Sequence, residues 1–153
     1  MELARGVAEN AEGHVWSLDA VTGAVVDTSV KLHTKLGPGL LESVYEVILA
    51  RELARRGLLV ERQKPVSFEY DGIQFEDAFR TDLLVNGTVV VEIKSMERAL
   101  PVHSKQLLTY LRLLNLPVGL LINFGAPTLK EGLQRIVNGL HPSASPRLRV
   151  NQT

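Results

Sequence analysis

With 153 residues, 45% hydrophobic and 22% charged, the chain has the composition of one globular domain with its own core. Its 17 basic and 17 acidic residues give a formal charge of zero, which argues against a strongly basic nucleic-acid coat but not against a local basic groove. Cysteine is absent, which excludes disulfides, thiolate zinc sites and a cysteine nucleophile. Because residues 1–15 lack the pattern of a signal peptide and no apolar run is long enough to span a bilayer, we expect a cytoplasmic protein.

The first third of the chain predicts two helices after a loose leader, residues 1–16. Ser17 is suited to cap a first helix that ends near Leu36, where Gly37-Pro38-Gly39 breaks the pattern. The expected core stripe of this helix is Val21, Val25, Thr28 and Leu32. A second helix is predicted from about Leu40 to Arg56, and its expected core residues are Leu41, Val44, Ile48 and Leu49.

After this helix the hydrophobic period changes to that of strands. Residues 58–62 and 66–70 predict a strand that is interrupted near Pro65, and residues 73–85 and 88–95 predict two more strands of an antiparallel meander. The turn between the first two strands is Asp71-Gly72.

The remaining pattern predicts a third helix at residues 102–114 and a buried strand within 116–124. Residues 127–139 fit either a short helix or a loop that leads to a last strand near 133–137, and residues 140–153 predict a flexible tail. The expected fold class is therefore α/β, one domain over residues 17–139 with helices that cover a mixed sheet.

The stretch 80–94 contains charged residues where a buried hairpin is expected. Asn86-Gly87 is a strong hairpin-turn signal, and the flanking runs are rich in Val, Ile and Leu. Asp82, Glu92 and Lys94 lie inside these runs, and charges in a strand core are costly unless they are paired or bind a metal.

The register of this hairpin decides whether the charges meet. A two-residue loop would place Asp82 opposite Val91, on the other face from Glu92. A three-residue loop, which Gly87 permits by taking positive φ in a type I turn with a bulge, puts the charges on one face with Leu84 and Val90. The other face is then wholly apolar: Leu83, Val85, Val89, Val91 and Ile93. Because burial favours such a face, we predict the three-residue loop.

On that face two carboxylates and an ammonium converge. Paired carboxylates suit a hard cation such as Mg²⁺, and Lys94 could orient or deprotonate an attacking water. The alternative is a cross-strand salt bridge on a solvated face, and on spacing alone this alternative is the commoner one.

Further candidates lie on the helices and near Pro65. Glu42 and Tyr45 share a helix face, where a buried Glu42 would need the hairpin site as its partner; the alternative is a solvated Glu and a half-buried Tyr. Gln106 and Tyr110 lie four apart on the third helix, as substrate contacts or as the polar edge of an amphipathic helix. Three more candidate substrate-binding residues are Tyr45, Gln63, which lies beside the Pro65 break, and His33, although a lone His is more often structural.

The motifs taken together resemble the GxxExxY protein family, which is placed in the PD-(D/E)XK nuclease superfamily. They are, in order, Gly39-x-x-Glu42-x-x-Tyr45, Arg80-x-Asp82-Leu83, Glu92-Ile93-Lys94, Gln106-x-x-x-Tyr110 and Leu121-Ile122-Asn123-Phe124. The resemblance covers residues 18–139 and implies a restriction-endonuclease-like α-β-β-β-α-β core. One departure is Thr81, where the superfamily motif has Pro.

The resemblance also implies roles for individual residues. Asp82, Glu92 and the Ile93 carbonyl would hold Mg²⁺ or Mn²⁺, with Glu42 acting directly or through water. Lys94 would position the water that attacks a phosphodiester. Gln106 and Tyr110 match a QxxxY element of nucleases allied to recombination helicases.

Two functions follow as hypotheses. The first is a metal-dependent nuclease that hydrolyses DNA, as an endo- or exonuclease; the alternative is a module on a nuclease-like fold that binds nucleic acid or protein without cutting it. Double-strand cutting by one small site would imply a homodimer, for which an apolar edge strand within 116–124 would serve.

Overall fold

The computed structural model describes residues 7–9 and 15–142, so most of the expected leader and tail lies outside the described residues. The helices are α1 Leu18–Leu36, α2 Glu42–Arg55, α3 Pro101–Leu114 and α4 Leu129–Gly132. The strands are β1 Val7–Glu9, β2 Val15–Ser17, β3 Val60–Tyr70, β4 Ile73–Val85, β5 Val89–Lys94, β6 Val118–Asn123 and β7 Leu133–Val137. None of the described helices is both long and apolar enough to cross a bilayer.

A five-stranded mixed sheet forms the centre of the fold, in the order β3-β4-β5-β6-β7. Only β5 and β6 are parallel, and α3 makes the crossover between them. The predicted α-β-β-β-α-β core is therefore confirmed as α2-β3-β4-β5-α3-β6. Within the predicted leader, β1 and β2 pair as a small antiparallel sheet, and Trp16 packs against the core.

The first helix follows its prediction because its local signals agree. The Ser17 side chain accepts a hydrogen bond from the Ala20 N–H (3.1 Å), which caps the helix. All four residues of the predicted stripe are buried. Gly37 ends the helix at φ +71°, in the left-handed region that glycine adopts without strain.

The buried face of α2 differs from the prediction. Its buried residues are Tyr45, Glu46, Leu49, Ala50 and Leu53. The predicted core residues Leu41 and Val44 are exposed, and Ile48 is half-buried. The helix is thus rotated by about one residue from the expected orientation, because burying the large ring of Tyr45 against Phe124 outweighs burying Leu41.

The hairpin of β4 and β5 has the predicted register. Val85 pairs with Val89 and Leu83 with Val91, so the loop contains three residues. The turn differs from the expected type I, since both Asn86 and Gly87 have positive φ (51° and 65°), as in a primed turn with Thr88 as the extra residue.

The two faces of this hairpin lie in two separate clusters. The apolar face packs under α1 and α2 with Val21, Val25, Leu49 and Leu53. Leu84 and Val90 of the other face pack with Leu107 and Leu111 of α3. Because both faces are buried, charged groups are tolerated only beyond the residues that pack under α3.

The prediction that β3 is interrupted near Pro65 is wrong. The strand continues through Pro65, which pairs with Arg80. The departures from regular strand geometry are the positive φ of Gln63 (49°) and a bulge between Val66 and Phe68. Residues 127–139, where two alternatives were open, contain both the short helix α4 and the strand β7.

The prediction of an edge strand within 116–124 is also wrong. Strand β6 pairs with β5 on one side and with β7 on the other, so its backbone is not available to a second chain. The edges of the five-stranded sheet are β3 and β7. The residues of β7 were too polar and too short a run for the sequence to predict this pairing.

A close contact after β6 holds the ends of β5 and β6 together. Asn123 Oδ1 accepts hydrogen bonds from the N–H groups of Met96 and Gly125, both 3.0 Å. A Cβ added to Gly125 would lie 2.2 Å from the Met96 carbonyl oxygen, so glycine is required there.

We therefore expect Gly125→Ala to lower the free energy of unfolding by about 1–3 kcal/mol, since the Met96 backbone must move. Gly23→Ala is the matched control, because Gly23 lies exposed in α1 with no atom within 4 Å of its added Cβ, and alanine favours helix. Urea denaturation of both variants measures the difference. Equal stability of the two would contradict the contact.

Candidate active site

The β4 and β5 strands separate at the point where the charged residues lie. Their pairing ends at Leu83 and Val91. Beyond this pair the side chain of Asp82 replaces the β4 backbone as the hydrogen-bond partner of β5. Its Oδ2 accepts a hydrogen bond from the Ile93 N–H at 2.7 Å. This bond aligns the Asp82 carboxylate with the part of β5 that carries Glu92.

Glu92 is a buried carboxyl, only 8% exposed, and its Oε1 has no hydrogen-bond partner among the described residues. The pKa of this carboxyl is raised to about 9, chiefly by burial and then by the negative charge of Asp82. The Lys94 ammonium acts against both and lowers the pKa of Glu92. The three predicted charged residues therefore interact electrostatically, with the two carboxyls side by side.

Tyr110 of α3 borders the same site. Its ring stacks on Phe79 with the centroids 4.0 Å apart. The pKa of its hydroxyl is raised by burial and then by the charges of Glu92 and Asp82, which places the ring within range of both carboxyls. Gln106, one turn earlier on α3, is exposed to solvent. Leu107 and Leu111 fix the helix by packing on Leu84 and Val90.

A further acidic residue, Glu46, approaches the site from α2. This residue is 6% exposed, and its Oε2 accepts hydrogen bonds from Arg62 Nε and Nη2 at 3.2 and 3.0 Å. Gln63 connects it to the site, since its Nε2 donates to Glu46 Oε1 at 2.6 Å and to Asp82 Oδ1 at 3.2 Å. Gln63, predicted as a substrate-binding residue, thus contacts Asp82.

Glu42, the acidic residue that the motif singles out, lies elsewhere. It is exposed at the first turn of α2, in a surface depression that it shares with Gly39, Ser95 and Glu97. The rotation of α2 that buries Tyr45 also turns Glu46 inward and Glu42 outward. A buried carboxylate needs a partner, and the partners of Glu46 are Arg62 and Gln63. These two polar residues of β3 are the feature of the sequence that could have indicated the burial of Glu46.

Tyr45 and His33 make contacts that stabilise the fold. Tyr45 is fully buried, and its hydroxyl donates to the Gly37 carbonyl (2.6 Å) and accepts from the Leu40 N–H (3.2 Å), which closes the loop between α1 and α2. The buried ring of His33 shares a hydrogen bond with the Ala126 carbonyl at 2.9 Å. The structure therefore does not bring these two predicted substrate-binding residues to the carboxyl pair.

Asp82 and Glu92 are the residues that could hold a metal ion. The described residues contain no group of three or more His, Cys, Asp or Glu side chains suited to that task. Two carboxylates, one with an unpaired buried oxygen, still suit a hard divalent cation such as Mg²⁺, which keeps several waters in its shell. Thr81, at the position of the motif Pro, is buried and contributes no charge.

The raised pKa of Glu92 predicts that the metal-free protein loses stability as the pH rises. The folded state keeps the Glu92 proton up to about pH 9, whereas an unfolded glutamic acid releases it near 4.5. Between these values the folded state binds more protons, so the free energy of unfolding falls as the pH increases. We expect Glu92→Gln to flatten this decline in thermal unfolding from pH 5 to 9. A slope unchanged by the substitution would contradict the assignment.

One comparison with known proteins finds a match. The model of the PD-(D/E)XK nuclease superfamily matches residues 19–136, which include all of α2, β3 to β6, and α3. No curated protein and no solved structure matches the chain. The matched region contains both carboxyls of the site and covers most of the chain, so the chain belongs to the PD-(D/E)XK nuclease superfamily.

Proposed function

We propose that the protein is a metal-dependent nuclease that hydrolyses DNA phosphodiester bonds at Asp82, Glu92 and Lys94. The observation that carries this proposal is the buried carboxyl of Glu92, held beside a second carboxyl with one oxygen unpaired. Such a pair is unfavourable in an apolar setting unless a cation neutralises it, and perturbed carboxyls of this kind are concentrated at functional sites. Membership of a nuclease superfamily supports the same reaction class.

Asp82, Glu92 and the Ile93 carbonyl would hold Mg²⁺ or Mn²⁺, which when bound would polarise a phosphoryl oxygen and lower the pKa of a water. Lys94 supplies a positive charge that offsets the charge of a phosphate and orients the attacking water. Asp82 already accepts the Ile93 N–H, so its direction does not depend on the cation. This is preorganisation, because the carboxylate does not have to turn when a cation binds.

Glu46 and Gln63 are proposed as positioning residues. Gln63 fixes Asp82 Oδ1, and Glu46 with Arg62 fixes Gln63. Such outer partners decide how well the inner ligands are oriented. Glu42 remains the candidate from the motif, acting directly or through water, but its exposure favours Glu46 as the acidic residue of α2 that supports the site.

The substrate side of the site is proposed to be α3. Gln106 is exposed there, and Tyr110 presents its hydroxyl beside the carboxyls. Of the 17 acidic residues, four lie in residues 66–79, where none of the 17 basic residues lies, so the rest of the chain is net positive. A net positive charge outside this segment favours a nucleic acid, and we propose DNA.

One observation favours the alternative of a binding module without catalysis. The site offers two carboxylates rather than a group of three, among the residues that the structure describes. A protein of this second kind would bind DNA with an affinity that falls steeply with salt, and it would release no product. Cutting of duplex DNA by this single site would also require a homodimer. A cytoplasmic location stays a prediction.

Cleavage is expected in Mg²⁺ or Mn²⁺ and not in EDTA when single-stranded, duplex and branched DNA are tested. Lys94→Ala should reduce the rate by about 100-fold or more, because the water loses its positioning group. Lys130→Ala is the matched control, a lysine on the exposed surface of α4. Gel and fluorescence assays measure the cleavage rates of both variants. Wild type that cuts no substrate, or cuts as fast after Lys94→Ala, would contradict the proposal.

The roles of the two α2 glutamates are separated by a matched pair of variants. We expect Glu46→Gln to weaken Mn²⁺ binding by about 10-fold or more, because Gln63 no longer holds Asp82 in place. Glu42→Gln, one turn away on the same helix, should change it little. Isothermal titration with Mn²⁺ measures both without requiring cleavage. A larger effect from Glu42→Gln would restore the assignment that the motif suggests.

A further inference from the structure

A cavity of about 530 Å³ lies at the end of the sheet where the parallel strands β5 and β6 finish. Its walls are the loop that joins β5 to α3, residues 97–99, together with the end of β6, α4 and the start of β7. The volume is that of a site for a small ligand. Ligands of α/β sheets bind outside the carboxyl ends of the strands, so the position of this cavity suits one.

The cavity is one strand away from the proposed reaction centre. Asn123, which lines it, is paired with Lys94 in the parallel register of β6 and β5. Paired residues of neighbouring strands point to the same face of a sheet, with the strands about 4.8 Å apart. Leu121, two residues before Asn123, packs with α3, so this is the face that α3 covers. A ligand in the cavity therefore lies beside the lysine that is proposed to orient the attacking water.

The side chain of Asn123 presents a hydrogen-bond donor of fixed direction to the cavity. Asn123 is only 2% exposed, and its Oδ1 accepts the N–H groups of Met96 and Gly125, neither of which lines the cavity. These two bonds decide the orientation of the amide, because only its oxygen can accept. Nδ2 donates to no residue that the structure describes, and it is the end of the amide left to face the cavity. A ligand that accepts this donor does not have to turn it.

The charged groups of the cavity favour a neutral ligand over a phosphate. Glu97 and Glu131 contribute two negative charges and Arg98 one positive charge. None of the three forms an ion pair within the described part of the chain. The excess of negative charge disfavours an anion, whereas a neutral group is not repelled.

The hydrogen-bonding groups narrow the ligand further. The Asn123 amide donates and the two carboxylates accept, so the ligand must offer an acceptor and a donor side by side. Guanine and thymine do so, because each carries a carbonyl oxygen next to a ring N–H. Adenine has no carbonyl oxygen, and the ring nitrogen beside the carbonyl of cytosine carries no hydrogen. An arginine can in addition stack on the plane of a base, and Arg98 is exposed.

We propose that this cavity binds an unpaired guanine or thymine base of the nucleotide next to the scissile phosphate. Asn123 Nδ2 donates to the carbonyl of the base, and Glu97 or Glu131 accepts its ring N–H. A base cannot enter such a cavity from within a duplex without leaving the stack. The substrate is therefore a single strand or an opened strand end. This inference rests on the proposed function, since it names the substrate of that same site.

The test measures binding of oligothymidylate and oligodeoxyadenylate of equal length by fluorescence anisotropy, in EDTA so that no strand is cut. Asn123→Asp keeps an oxygen for the N–H groups of Met96 and Gly125 but replaces the donor with an acceptor. Glu97→Ala with Glu131→Ala removes both carboxylates at exposed positions, and this variant carries the test if Asn123→Asp does not fold. Thermal unfolding checks the fold of each variant.

Glu69→Ala with Glu76→Ala is the matched control, because it makes the same change of net charge at exposed residues outside the cavity. The measured quantity is the ratio of the two dissociation constants. Stacking between adenines is the same for every variant, and a change of net charge acts on both oligonucleotides alike, so neither alters the comparison.

We expect the wild type to prefer oligothymidylate, and both cavity variants to reduce this preference by roughly tenfold, as for the loss of a base-edge contact. The control should keep it. A preference that neither cavity variant changes, or a wild type that binds neither oligonucleotide, would overturn the proposal. Binding with this preference but without cleavage in Mg²⁺ would keep the base site and remove the nuclease function, and cleavage without the preference would do the reverse.

Discussion

The structure depends on a conflict between burial and charge at the end of one hairpin. The apolar side of β4 and β5 must lie under α1 and α2, and this requirement sets the register of the pair. The register then brings Asp82 next to Glu92, although two carboxyls in a buried place repel each other. The fold does not relieve this repulsion with a salt bridge, but lets Glu92 keep its proton up to about pH 9. In the proposed function, a bound cation would neutralise the two carboxylates in place of that proton.

Much of the surrounding structure holds this arrangement in place. Gln63 takes positive φ in the middle of a strand, which is a strained conformation for a residue with a side chain. It uses that conformation to reach both Asp82 and Glu46. On the far side of β5, Asn123 binds the backbone of Met96 and so fixes the chain that leaves the site. Local rules are broken here, and such departures are expected where a site is built.

Charge is distributed unevenly over a chain whose formal total is zero. Residues 66–79 contain four of the 17 acidic residues and none of the 17 basic residues, so the rest of the chain has a net formal charge of +4. Superfamily membership establishes the fold and the reaction class to be tested, whereas activity depends on the groups at this site.

Local signals in the sequence were sufficient for most of the elements. Ser17 and Gly37 bound α1, the period of apolar residues located the strands, and the burial of one face predicted the three-residue loop after Val85. The placement of Asp82 and Glu92 on one face followed from that loop, since side chains alternate along a strand. The sequence thus determined the elements and the two central carboxyls of the site.

Tertiary packing decided which residues of distant elements contact each other. A shift of one residue around a helix moves a side chain by about 100°, and the sequence pattern of α2 allowed either of two neighbouring faces to be buried. Stacking of Tyr45 on Phe124 settled the choice, and with it the burial of Glu46 rather than Glu42. The place of β6 inside the sheet depended on its pairing with β7. The residues of β7 form a short, half-polar run, which indicates a strand only when a neighbouring strand is present to pair with it.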